Sequence, residues 1–152
     1  MNPYAQIADL YNFGAPAVAY GLLTTAQQQA ALDASAAHFD SKFRARYGYQ
    51  NVPLVPPIDL VVTMRVCELS AWNLITLRGF DGTNLNDVNI KDRGLMAMRW
   101  GDQVERQEAH PNVAAAQTDV TIAAPFIVSN PLQGWIPDPS GAQSTPGDSG
   151  ID

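Results

Sequence analysis

Residues 24–57, TTAQQQAALDASAAHFDSKFRARYGYQNVPLVPP, contain the longest helical pattern of this 152-residue chain and the proline-rich corner that ends it. Four apolar side chains recur at intervals of four, three and four residues: Leu32, Ala36, Phe39 and Phe43. This spacing places one apolar stripe on one face of a helix. We therefore predict a helix over residues 24–47, about 35 Å long. Gly48 is expected to end it, and the prolines up to Pro57 to hold the next segment extended.

Three further segments carry helical patterns, which predicts a mainly α protein with a compact bundle of about four helices: residues 4–12, 57–77 and 88–107. The apolar side chains expected to face the core in the first two are Tyr4, Ile7, Ala8 and Tyr11, then Leu60 or Val61, Met64, Cys67, Ala71 and Leu74 or Ile75, with Trp72 at the edge. Residues 13–23 are expected to be a linker.

Helix boundaries follow from residues that favour the ends of helices. Thr24 or Thr25 can cap the long helix, and Pro57 suits the first turn of the next one. Asp87 is expected to cap the last helix. That helix repeats Ile90, Gly94, Ala97, Gly101 and Val104 on one face. Two glycines on one face predict that a neighbouring helix approaches closely.

Composition excludes several classes of protein. About 46% of the residues are apolar, and the longest purely apolar runs are only a few residues, so no membrane span is expected. Fifteen acidic against nine basic residues give a net charge of −6. A protein that grips DNA needs a concentrated cationic surface to displace counterions. The charge balance is compatible with DNA that passes without specific binding.

The C-terminal residues 111–152 differ from the rest of the chain and are predicted to form an extended tail after a helical domain of residues 1–110. Residues 120–128, VTIAAPFIV, suggest a β-like strand broken by Pro125. Residues 129–152 are rich in Pro, Gly and Ser, and four acids but no base follow residue 110. A segment of this composition buries too little apolar surface to order by itself, so a neighbouring chain is expected to hold it.

No catalytic, cofactor or metal pattern emerges from the reactive side chains. Cys67 lies within a helical pattern and is expected to be a buried small hydrophobe, which fits a reducing compartment. His38 and His110 lack the spacing of a metal pair or a triad. The oxygen-rich loop at residues 81–87 has no closing glutamate for calcium and suits a turn followed by a helix cap. Glu68 and Asp92 are predicted to lie on different helices or solvated faces. We therefore expect no enzyme.

Several motifs occur in an order that is typical of one protein family. They are Ala8-Asp9-Leu10 with Phe13-Gly14, residues 32–41 and 43–47 of the long helix, Pro53-Leu54 with Pro56-Pro57, residues 67–72 (CELSAW), Arg78-Gly79, and Ala97 with Trp100. In this order the chain resembles small head–tail connector proteins of tailed bacteriophages, the neck adaptors that dock beneath the portal, including a Mu-like group. The resemblance covers about residues 7–107. It departs from the family pattern at His38 and Gly101.

The resemblance implies a structural virion protein of the neck, assembled in the host cytoplasm. It implies a homo-oligomeric ring of about twelve copies. The ring would extend the DNA channel and contact the portal protein and a downstream neck or tail-completion protein. The residues expected at the corner and at subunit contacts are Arg44, Arg46, Tyr47, Pro53 and Pro57. The tail residues expected to bind the portal or another neighbour are Phe126, Ile127, Trp135 and Ile136, because large apolar side chains carry most interface energy.

Three other functions remain open from the sequence. A metal- or nucleotide-dependent enzyme would require a cluster of reactive side chains that the sequence does not reveal, and an ion or ligand bound by several side chains would support it. The chain could be a small helical binding or regulatory module outside the virion, with its tail as a recognition strand. It could also be a stopper or tail-terminator ring protein, although those tend to be β-rich barrels. Co-purification with intact particles separates the binding or regulatory module, and helix content separates the stopper or tail-terminator.

Overall fold

The computed structural model describes residues 2–112, which form a mainly helical bundle without a β-strand in that range. Its elements are a short α1 (Ile7–Asp9) continued by a π-helical turn (Leu10–Gly14), a 3₁₀ turn (Ala17–Tyr20), α2 (Thr25–Tyr47), a 3₁₀ turn (Tyr49–Asn51), α3 (Leu60–Arg78) and α4 (Leu85–Glu105). The predicted fold class is confirmed for this part of the chain. The predicted strand at residues 120–128 and the tail residues Phe126, Ile127, Trp135 and Ile136 lie outside the described residues.

The long helix forms as predicted and contributes one buried face to the core. Its four predicted core side chains are all buried. The Thr24 side chain accepts a hydrogen bond from Gln27 N, and Gln27 in turn caps the backbone of Thr24. Gly48, at φ 84°, ends the helix in a backbone conformation that glycine adopts without a steric penalty.

The three long helices run up, down and up. Contacts between α3 and α4 join Glu68 to Arg93 and Arg78 to Asp87, so these helices are antiparallel. Contacts of α2 with α4 lie near the C-terminal end of both helices, since Lys42 pairs with Asp102. One end of the bundle therefore holds the end of α2, the start of α3 and the end of α4. We call it the corner end and the opposite one the loop end.

The predicted start of the third helix is wrong. It begins at Leu60 rather than at Pro57, because the Asp59 side chain accepts from Val61 N and caps it. The core positions predicted from Cys67 onward are buried, but those predicted in the first turns of the helix are not. Leu60 and Val61 are exposed, and Val62 and Val66 are buried in their place.

The fourth helix begins one turn earlier than predicted, and Asp87 is not its cap. Asn84 is the cap residue, since its side chain accepts from Asn86 N. The predicted close approach along α4 is confirmed. A Cβ added to Gly94 would lie 2.5 Å from Trp72 Cβ, and one added to Gly101 would lie 3.1 Å from Phe39 Cε1.

The N-terminal segment differs from the prediction. Helical structure spans residues 7–14 instead of 4–12, Ala8 is exposed, and Leu10 is fully buried. The expected linker contains a 3₁₀ turn whose Tyr20 is fully buried. Local spacing does not predict the burial of Tyr20, because the turn is also held by contacts from distant segments, such as the hydrogen bond that Arg78 Nη1 donates to Ala19 O.

Candidate functional site

The predicted corner residues lie together at the corner end, but they have different roles. Arg44 is exposed, and its guanidinium lies over the Tyr49 ring at 5.7 Å. Arg46 turns back onto its own chain, donating to Ala109 O at 3.2 Å and to Val104 O at 3.4 Å. It thus satisfies carbonyls at the end of α4, where a cation also suits the helix dipole.

The remaining corner residues divide between core and surface. Tyr47 is half-buried and packs against Phe43, a buried α2 residue. Pro53 and Pro57 are exposed and each follows a cis peptide bond. Of the five predicted contact residues, Arg44, Pro53 and Pro57 therefore present free surface, whereas Arg46 and Tyr47 are engaged within the bundle.

Large apolar side chains are exposed at both ends of the bundle. At the corner end they are Tyr49, Val55, Leu60 and Val61. At the loop end they are Val18, Leu22, Leu77, Phe80 and Leu85. Leu22 is fully exposed and Tyr49 is 79% exposed. Two more large apolar side chains, Met96 and Met98, are exposed in the middle of α4. Large exposed apolar patches mark surfaces that contact other molecules.

Glu68 is a buried carboxylate between α3 and α4. Its side chain is only 7% exposed. It accepts from Arg65 Nη1 at 2.8 Å and from Arg93 Nε at 3.2 Å. Arg93 also donates to Gly14 O at 3.0 Å and to Phe13 O. One guanidinium therefore joins α3, α4 and the N-terminal segment.

A second arginine makes a similar connection at the loop end. Arg78 Nη2 donates to Asp87 Oδ2 at 2.5 Å, and Nη1 donates to Ala19 O. Asp87 Oδ2 also accepts from Asp81 N at 3.1 Å. The Asp87 side chain is 2% exposed. The loop at residues 81–87 is thus closed by a buried carboxylate, in agreement with turn chemistry rather than with calcium binding.

The two arginines line a cleft of about 490 Å³ between α4 and residues 14–19. Its other polar walls are the asparagines 84, 86 and 89 of the α4 N-terminal turns, and Pro16, Val18 and Ile90 supply apolar surface. This volume lies in the range of sites that bind small molecules or peptide segments. No local pattern in the sequence predicts the cleft, because Arg78 and Arg93 converge only after α3 and α4 pair.

Two of the reactive side chains singled out in the sequence, Cys67 and His38, lie within the helices of the bundle. Burial raises the pKa of the Cys67 thiol to about 12, so the thiolate is suppressed and the predicted buried hydrophobe is confirmed. Burial lowers the pKa of His38, whose Nε2 is buried without a hydrogen-bond partner. Across residues 2–112, no group of three or more His, Cys, Asp and Glu side chains is arranged to hold a metal ion.

Glu68 and Asp92 are predicted to lie on different helices or solvated faces, and they do lie on different helices, α3 and α4. Asp92 is exposed, whereas Glu68 is buried and paired with two arginines. The sequence does contain a signal for this pairing, namely the single glutamate within residues 67–72 (CELSAW). An ionisable residue in a core helix requires a partner. Which arginine supplies it depends on tertiary structure.

The helix α3 is long and apolar enough to cross a membrane by length and composition, with a mean hydropathy of 1.3. Half of that segment is buried inside the bundle, and it carries the ion-paired Glu68. These are properties of the core helix of a bundle.

Comparison of this chain with models of protein families, with curated proteins and with solved structures gave no match.

Proposed function

We propose that this protein is a head–tail connector of a tailed bacteriophage, which forms a ring beneath the portal and joins the head to the neck or tail. The observation that carries the proposal is the presence of exposed apolar side chains at both ends of one small bundle. A subunit stacked between a portal above and a neck protein below needs a contact surface at each end. The ordered family motifs of residues 7–107 support the same function.

Two of those motifs serve the packing of the bundle. Gly14, the glycine of Phe13-Gly14, lies so close to α3 that a Cβ there would approach Cys67 O to 2.9 Å. The Arg78-Gly79 break holds the loop end through Asp87, and Gly79 has a φ of 113°. The resemblance therefore extends to residues that position elements, which supports the proposal more than surface matches would.

The ring surfaces would come from the sides of the bundle. The outward face of α2 carries small residues along its whole length, and such a face lets another helix approach closely. Arg44, Pro53 and Pro57 supply exposed corner surface next to it. The tail anchors Phe126, Ile127, Trp135 and Ile136 are proposed to bind the portal or another neck protein.

Particle fractionation tests the proposal. We expect the protein in density-gradient-purified virions at about one copy per portal subunit, by quantitative mass spectrometry with the portal as internal standard. Absence from intact particles would instead support the alternative, a helical binding or regulatory module outside the virion. Rings seen by negative-stain microscopy of the full chain mixed with the portal protein are the second expected result.

Matched variants separate the contact surfaces. Leu22→Asp and Tyr49→Asp alter exposed side chains at the two ends, so folding should be unchanged while docking at one end is lost. Gln103→Asp, on the exposed side of α4, is the control. Deletion of residues 111–152 should abolish docking on the portal, and docking that persists would refute the role of the tail.

A further inference from the structure

The cleft at the loop end contains two arginines that are fixed in place and retain free donors. A guanidinium has five N–H donors. Arg78 uses two in its contacts with Asp87 and Ala19, and Arg93 uses three in its contacts with Glu68, Gly14 and Phe13. Because the contacts hold both side chains, little rotamer entropy is lost when the remaining donors bind a ligand.

The charge inside the cleft favours an anionic ligand. Its lining contains the guanidinium groups of Arg78 and Arg93 and one carboxylate, that of Asp87. The Asp87 side chain is almost completely buried and its Oδ2 is already shared between Arg78 and Asp81 N. The two arginine side chains are more exposed, at 28% for Arg78 and 43% for Arg93. Glu68, which pairs with Arg93 from outside the lining, is also paired with Arg65. The lining that a ligand meets therefore carries a net positive charge.

The rest of the lining fits an extended peptide better than a small anion. The exposed side chains of Asn86 and Asn89 lie about one helical turn apart and offer amide groups that can bond to peptide main chain. Val18 and Ile90 provide apolar surface for an aliphatic side chain. A phosphate ion would use the arginines and leave this apolar wall without a partner.

We propose that this cleft binds an extended, acidic peptide segment of a partner protein. Arginine would bind its carboxylates with charge-assisted hydrogen bonds, the asparagines its main chain, and Val18 an aliphatic side chain. This binding activity goes beyond the connector function and does not require a ring.

Fluorescence anisotropy of the full chain tests the proposal. The probes are a labelled synthetic peptide of alternating aspartate and leucine, the same peptide with asparagine for aspartate, and inorganic phosphate as competitor. The aspartate peptide is expected to bind about tenfold more tightly than the asparagine peptide, and added salt should reduce the difference. Equal binding of the two peptides, or displacement by phosphate at millimolar concentration, would overturn the proposal.

A pair of variants at Val18 localises the site without disturbing the ion pairs. This side chain is 84% exposed, so neither substitution should affect folding. Both Val18→Glu and Val18→Lys remove the same aliphatic contact, but they differ in charge. We expect binding of the aspartate peptide to be about tenfold weaker in Val18→Glu than in Val18→Lys. Gln103→Glu is the control for net charge, and equal affinities of the Val18 variants would show that the peptide binds elsewhere.

Discussion

Arg93 Nε donates to Glu68 Oε1 at 3.2 Å and thereby joins α4 to α3 beneath the N-terminal segment. The other two nitrogens of the guanidinium donate to the carbonyl groups of Gly14 and Phe13. A single side chain thus satisfies a buried carboxylate and two backbone acceptors from a non-regular turn. The contact explains how residues 7–20, which contain little regular helix, are held against the bundle.

Removal of Arg93 should therefore be costly. In Arg93→Ala, Glu68 keeps Arg65 but loses its partner on α4, and two carbonyl groups lose a charged donor. We expect the free energy of unfolding, measured by urea denaturation, to fall by about 2 to 3 kcal/mol.

The matched control is Lys42, which also joins two helices but pairs with Asp102 and Glu105 at the surface, where both carboxylates are more than 40% exposed. Lys42→Ala should cost less than about 1 kcal/mol because solvent screens the pairs. Equal losses in the two variants would contradict the structural role assigned to Arg93.

Gly94 is expected to be the least tolerant glycine of α4. Alanine at this position gains about 1 kcal/mol in helix propensity, but its Cβ would lie 2.5 Å from Trp72 Cβ. A Cβ atom cannot rotate away, so the helices must separate. We expect Gly94→Ala to lower the free energy of unfolding by about 1 to 2 kcal/mol.

Gly101 provides the comparison on the same helix face. Its added Cβ would lie 3.1 Å from the edge of the Phe39 ring, a contact that a small shift relieves. Gly101→Ala should therefore change stability by less than about 1 kcal/mol in either direction. If the Gly94→Ala variant is as stable as the wild type, α3 and α4 are packed less closely than the structure indicates.

The sequence predicted the parts of this fold that depend on local spacing. Leu32, Phe39 and Phe43 are buried as their periodicity indicates, and the small face of α4 packs closely. It failed at the start of α3, where Val61 and Val62 are equally apolar and only the packing of the helix against the rest of the bundle decides that Val62 is the buried one. The cleft could not be predicted, because its walls come from segments far apart in sequence.

His38 should make stability dependent on pH on the acidic side. Burial and the Lys42 ammonium lower the pKa of His38 below its usual 6.5, and Asp102 opposes this only in part. Because the folded pKa lies below the unfolded one, the stabilisation is complete above pH 6.5 and is lost as pH falls through the folded pKa.

Urea denaturation between about pH 7.5 and pH 5 checks this dependence by comparing wild type with His38→Gln. The pKa of Asp40 is raised by burial and shifts stability in the opposite direction in acid, but it does so in both proteins. The difference between the two stability curves therefore isolates His38. If the curves stay parallel over this range, protonation of His38 is not coupled to folding.

The outward face of α2 leads to a prediction that rests on the proposed ring. Six small residues follow one another at intervals of three or four on its exposed side: Ala26, Ala30, Ala34, Ala37, Ser41 and Ala45. If a helix of the next copy packs there, Ala34→Glu should abolish ring formation in light scattering and microscopy and leave the melting temperature within a few degrees of wild type. Gln103→Glu adds the same charge on α4 and should assemble normally. Alanine is also the best helix former, so an unchanged ring in Ala34→Glu would mean that this face stabilises α2 alone.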